Sequence, residues 1–196
     1  MPGLSRGRFA VMLTVAAIGG MLTSGALVWQ SSAAVFKDTA TNGSNRWTAG
    51  NVAITSETTS LLFNITGLKP GDSGSKCIVV TYNGNIGASV KLYASASSGT
   101  FRQYLNLTVG LGSVGNYASC GAFAVQSTAY PTDSNVTLEY FCINRNSYAN
   151  GVGSWTPSAA GQTKVYRFTY DVDPATPDSA QSSTAGVTFT WATQNT

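Results

Sequence analysis

Residues 165–172 read Val-Tyr-Arg-Phe-Thr-Tyr-Asp-Val, and no other stretch restricts the fold of this chain as strongly. On a pleated strand, Tyr166, Phe168, Tyr170 and Val172 share one face while Val165, Arg167, Thr169 and Asp171 share the other. That period of two is the mark of a β-strand with one buried side, and helical periodicity is absent after residue 34. Residues 187–192 repeat the pattern with Val187, Phe189 and Trp191 inward, and residues 136–142 with Val136, Leu138, Tyr140 and Cys142. Further strands are expected at 51–55, at 60–65 (Leu61, Phe63 and Ile65 on one face), at 76–82 as a central strand, at 88–94, at 105–109 and briefly at 123–125. Lys69-Pro70-Gly71-Asp72 has the residues of a type II turn, with Pro presetting φ and Gly accepting a positive one. Asn83-Gly84 is a hairpin-type signal. Two long polar connections follow, at 144–162 and 174–186. About nine short strands with turn-rich spacing predict an all-β fold, an antiparallel jelly-roll or Greek-key β-sandwich.

The N-terminus differs in kind. Arg6 and Arg8 precede 21 uncharged residues from Phe9 to Trp29, and Ser32-Ala33-Ala34 then supplies small residues. This order of basic, apolar and small segments predicts a signal helix cleaved between Ala34 and Val35. An uncleaved anchor is the competing reading, since 21 residues can span about 30 Å of hydrocarbon. The expected organisation is a signal peptide over 1–34 and one sandwich domain over 35–196. Residues 35–50 are polar apart from Val35, Phe36 and Trp47. Such a segment is disordered, an edge strand, or a strand donated to a neighbour with Phe36 and Trp47 as anchors.

Composition excludes several functions. Without Arg6 and Arg8, nine basic residues face eight acidic ones, so no basic surface remains for nucleic acid. The chain has no His, which removes His-ligated zinc and imidazole acid–base catalysis, and no enzyme activity or cofactor is expected. An exported chain with three cysteines is expected to form one disulfide. Cys77 opens a central strand and Cys120 lies in a Gly/Ser loop, so these two are the expected pair; Cys142, alternating with apolar residues, reads as a buried free thiol. Asp171, Asp173 and Asp178 are too few oxygens for calcium, and Glu139 or Asp133 has no spacing that selects it as a catalytic partner. Tyr130, Tyr148 and Trp155, all in expected loops, are candidate sugar-stacking residues; the plainer reading is that such aromatics pin a loop to the core. Asn-x-Ser/Thr triplets at Asn42, Asn64, Asn106 and Asn135 are discounted in so Asn- and Thr-rich a chain.

The succession Ala33-Ala34-Val35-Phe36-Lys37-Asp38-Thr39, Trp47-Thr48-Ala49-Gly50-Asn51-Val52, Leu68-Lys69-Pro70-Gly71-Asp72 and Asn83-Gly84 resembles the camelysin/TasA-like secreted proteins, whose signal peptide is of the SipW-dependent type. The Cys-bearing, Tyr-rich middle looks like actinobacterial members. The resemblance implies a jelly roll exported to the cell surface or matrix, in some members polymerised by donation of the strand after the signal. It also implies, for some members, a metallopeptidase activity that a chain without His does not carry on a zinc mechanism. The expected function is a secreted structural protein of the surface or matrix whose partners are copies of itself or other surface components, touching the membrane only through the signal before cleavage. A carbohydrate- or surface-binding module using Tyr148 and Trp155 is the rival, and a hydrolase the most distant alternative.

Overall fold

In a computed structural model, residues 37–41 and 52–196 are described. Their elements run β1 (Lys37–Thr41), β2 (Ile54–Ser56), β3 (Ser73–Tyr82), β4 (Ala88–Ser98), a 3-10 turn (Phe101–Tyr104), β5 (Leu105–Gly112), β6 (Ser127–Tyr130), α1 (Leu138–Asn144), β7 (Val152–Trp155), β8 (Thr163–Val172), a second 3-10 turn (Asp178–Ala180) and β9 (Gly186–Asn195). One sheet has the order β1-β9-β4-β7 and the other β2-β3-β8-β5-β6, with every neighbouring pair antiparallel. The described residues belong to one compact unit.

The two sheets bury the faces that alternation assigns to them. Tyr166, Phe168 and Val172 of β8 meet Phe189 and Trp191 of β9 in one apolar cluster, together with Ile78, Val80 and Tyr82 of β3 and Val90 and Leu92 of β4. Phe168 lies 4.5 Å from the Phe189 ring centroid and 6.0 Å from Trp191, edge-on to the latter, and Tyr166 lies 5.5 Å from Trp191. Rings from one sheet therefore interdigitate with rings from the other, an arrangement that adds to simple area burial. The turn at Lys69–Asp72 forms as its residues require: Asp72 N–H donates to Lys69 O at 3.0 Å, Gly71 has φ +86°, and the Asp72 carboxylate accepts the Lys69 N–H.

Three expected strands, one expected loop and one expected hairpin are corrected. Residues 136–142 do not form a strand; Leu138–Asn144 is a helix. Leu138, Phe141 and Cys142 are also spaced for one helical face, and all three are buried. Thr137 decides between the two periods, because its Oγ1 caps the helix by accepting the Tyr140 N–H at 3.2 Å. Residues 60–65 are irregular, and the buried residue is Leu62, while Leu61 is 63% and Ile65 45% exposed. Residues 123–125 belong to a loop, and the strand that pairs with β5 is β6, a few residues later. β7 lies inside the stretch read as a loop over 144–162. Asn83-Gly84 is not a hairpin, since β3 and the following β4 belong to different sheets.

Candidate functional site

The segment expected to act in assembly enters the described structure at Lys37. Ala34, Val35, Phe36 and Trp47 lie outside the described residues. Lys37–Thr41, by contrast, runs antiparallel to β9, with Lys37 opposite Gln194, Thr39 opposite Ala192 and Thr41 opposite Thr190. β1 is thus an edge strand, and β9 sits between it and β4.

Tyr148 and Trp155 are not brought together as a stacking platform. Residues 146–151 brace themselves: Ser147 N–H and Oγ both donate to the Asn150 side-chain oxygen, Asn150 Nδ2 donates to Asn146, and Gly151 N–H donates to Tyr148 O. Tyr148 then pins this loop to β4, its hydroxyl donating to Ser89 O at 2.8 Å and its ring lying 5.0 Å from Lys91 Nζ. Beside it a hollow of about 280 Å³ opens, bounded by Tyr93, Tyr148, Asn146 and Gln194. Trp155, half-buried on β7, packs against the core. The indole Nε1 atoms of Trp155 and Trp191 are buried and, among the described residues, meet no acceptor at full hydrogen-bond geometry; both point weakly to the Tyr166 hydroxyl, which itself donates to Gly153 O at 2.9 Å. Burial raises the Tyr166 pKa and the two indoles lower it in part.

The disulfide joins Cys77 to Cys120, as expected, with Cα atoms 5.5 Å apart, and Cys142 is free and buried. Cys77 lies on the outer face of the β2-β3-β8-β5-β6 sheet, so the bridge ties the 113–126 loop over that face. Three side-chain contacts hold the same loop down. Phe123 lies against Gly110 and Gly112, with the Arg167 guanidinium 4.7 Å from its ring; a Cβ on Gly112 would meet that ring at 2.7 Å, so the shelf requires glycine. Lys76 Nζ lies 5.1 Å from the Tyr117 ring. Glu57 accepts the Tyr117 N–H through one carboxylate oxygen (2.8 Å) and the Val79 N–H through the other (3.1 Å), completing the β3 edge where β2 stops. Sequence reading missed Glu57, because nothing in spacing brings residues 57, 79 and 117 together.

Three of the carboxylates weighed for chemistry already accept hydrogen bonds. Asp171 accepts from Asn106 Nδ2 at 3.0 Å and Asp173 from Ala175 N–H at 2.8 Å. Asp133 accepts the Asn135 N–H at 2.8 Å and the Tyr140 hydroxyl at 3.2 Å, and the first of these leads in lowering its pKa. No group of three His, Cys, Asp or Glu side chains that could hold a metal occurs among the described residues.

The chain matches no protein-family model, and no curated protein matches it. Geometry therefore carries the functional argument. Burial raises the pKa of the Cys142 thiol, with hydrogen bonds to Arg102 and Ser97 opposing, so the thiolate is disfavoured. Burial also raises the Tyr130 phenol. The disulfide suits an oxidising, extracellular compartment. Among the described residues no helix is long and apolar enough to cross a membrane.

Proposed function

We propose that this chain is exported, cleaved between Ala34 and Val35, and works as a structural protein of the cell surface or matrix, of the camelysin/TasA-like kind, polymerising by donation of the segment that follows the signal. The finer reading of the sandwich is a jelly roll. Its support is the set of pairings β1 with β9, β3 with β8, β4 with β7 and β5 with β6. These are the rungs of one long hairpin bent between β5 and β6, and the pairs β9 with β4 and β8 with β5 roll it into two sheets. In this reading β2 is an added edge.

The observation that carries the assembly reading is β1 itself. Five residues at a sheet edge pair, among the described strands, with β9 alone, and they begin two residues after Val35, the expected first residue of the cleaved chain. Replacement by a neighbour's β1 would restore the same five register pairs, so exchange costs little in bonds and is driven by concentration. This function needs no catalytic residue, in keeping with a chain that has no His.

Electron microscopy of the mature chain, with and without residues 35–50, tests the proposal. Fibres from the first and none from the second are expected. Monomers from both, at concentrations up to about 1 mM, refute it. The hollow beside Tyr93 and Tyr148 favours a second reading, a carbohydrate- or surface-binding module, for which retention of monomer on a glycan column that is lost in Tyr93→Ala is expected.

A further inference from the structure

On the side of the sandwich formed by β6 and β7, these two edge strands, one from each sheet, border an open groove of about 460 Å³. Small residues (Ser127, Thr128 and Gly153) line it, over a floor that includes the buried Leu111. Among the described residues each strand pairs on one side only, β6 with β5 and β7 with β4, so backbone donors and acceptors are left over there on the other side. The groove also contains a cation. Arg145, whose backbone N–H closes the C-terminal end of α1 on Phe141 O, donates from Nη2 to Thr132 Oγ1 at 2.7 Å, while its Nε is buried with no partner. Asp133 is near enough to feel this charge, yet its oxygens accept from Asn135 and Tyr140.

We infer that this groove binds an extended acidic peptide segment, a carboxylate meeting Arg145 and the backbone adding to an edge strand. A guanidinium carries five N–H donors in a planar fork; with Nε enclosed and Nη2 already donating to Thr132, the remaining Nη hydrogens are the ones a carboxylate in the groove meets. The four residues of β6 span about 13 Å, enough for a segment of about four residues. Small side chains on the groove walls let a second backbone approach, and alternate side chains of the guest face the groove, an acidic one among them toward Arg145. A uronic-acid sugar shares the carboxylate but makes no use of the open strand edges, so the peptide is favoured. This inference is independent of donation at β9, which lies on the β1 side of its sheet.

The test is fluorescence anisotropy of the full-length chain with a labelled, end-capped peptide Thr-Val-Asp-Val-Thr, set against the same peptide with Asn for Asp and against a uronic-acid trisaccharide. The Asp peptide is expected to bind about tenfold or more tightly than the Asn peptide, and Arg145→Gln to remove that preference, since charge-assisted hydrogen bonds are worth about tenfold or more in affinity. Arg145→Lys retains part of it. Thr128→Trp, on the exposed face of β6, fills the groove and abolishes binding. Amide chemical shifts of residues 127–132 and 151–154 in the unsubstituted chain move on titration, a readout that does not depend on any variant folding. Equal affinity for both peptides, trisaccharide binding tighter than peptide, shifts confined elsewhere, or no binding at about 1 mM peptide would each overturn the inference.

Discussion

Replacing both Cys77 and Cys120 by Ala removes the bridge without leaving a lone thiol at either end. The residues joined are 43 apart in sequence. Between them lie β4, β5 and the first half of the 113–126 loop, so in the unfolded chain the bridge closes a large and otherwise flexible loop. Chain-entropy arithmetic for a loop of that length gives about 4 kcal/mol at 25 °C. A domain of this size is expected to be stable by about 5–15 kcal/mol in total, so the loss is a large share of it. At about 2.1 cal/mol/K per residue it corresponds to a fall in Tm of about 12 °C. The native contacts of the loop do not all depend on the bridge, because Glu57, Phe123 and Tyr117 hold it separately. The expected result is therefore a less stable protein with the same fold. Urea unfolding followed by the fluorescence of the buried Trp191 measures this, with Cys142→Ala as a control that leaves the bridge intact. A difference below about 1.5 kcal/mol between the double variant and the unsubstituted chain would refute the reasoning, since the loop closure would then be contributing little.

Phe168→Ala should cost about 3–5 kcal/mol in the same assay, because a fully buried ring that meets Phe189 and Trp191 leaves a cavity between sheets. Thr137→Ala should cost about 1 kcal/mol by leaving the Tyr140 N–H uncapped, measured by the same unfolding curve. The phenols of Tyr130 and Tyr166 have raised pKa values in the folded chain, so the unfolded chain loses their protons first as pH rises. Their contribution is complete below about pH 10 and declines above it, and Tm should fall progressively from about pH 10 upward. Because burial raises the Cys142 pKa, alkylation of its thiol by iodoacetamide at pH 8 should be slow in the native chain and should accelerate on addition of urea.

Strands were legible where alternation was long and one face was wholly apolar. At 165–172 and 187–192 the period of two left no helical alternative, and the structure buries Tyr166, Phe168, Phe189 and Trp191 as the pattern requires. At 136–142 seven residues satisfied both periods, and a threonine cap, a short-range contact, tipped them into a helix. At 60–65 two apolar residues face solvent, so apolar content alone misled the phase. β6 and β7 carry Ser, Thr and Gly where a strand usually advertises itself, because each packs few side chains and borrows its order from β5 and β4.

The candidate sites divide in the same way. Cys77 in its central strand and Cys120 in its loop anticipated which two pair, although Cys142 stays free on a helix face rather than on the expected strand, and the absence of His followed from composition alone. Tyr148 stood out as a loop aromatic, but whether it pins or stacks was fixed by the carbonyl of Ser89, 59 residues away. Arg145 gave no signal, since an arginine in a polar stretch is ordinary until the strands on either side of it turn out to be sheet edges.

Alone, the sequence determined that the chain is built from short antiparallel strands with aromatic inner faces, because periodicity is a local property written in consecutive residues. Which strands become neighbours was decided only by the tertiary structure: β9, the last strand, lies between β1 and β4, and β8 between β3 and β5. Backbone hydrogen bonds are the same for every strand and carry no address. The choice of partners rests on how Trp191, Phe168 and Tyr166 fill one shared interior, and that volume exists only once both sheets have closed around it.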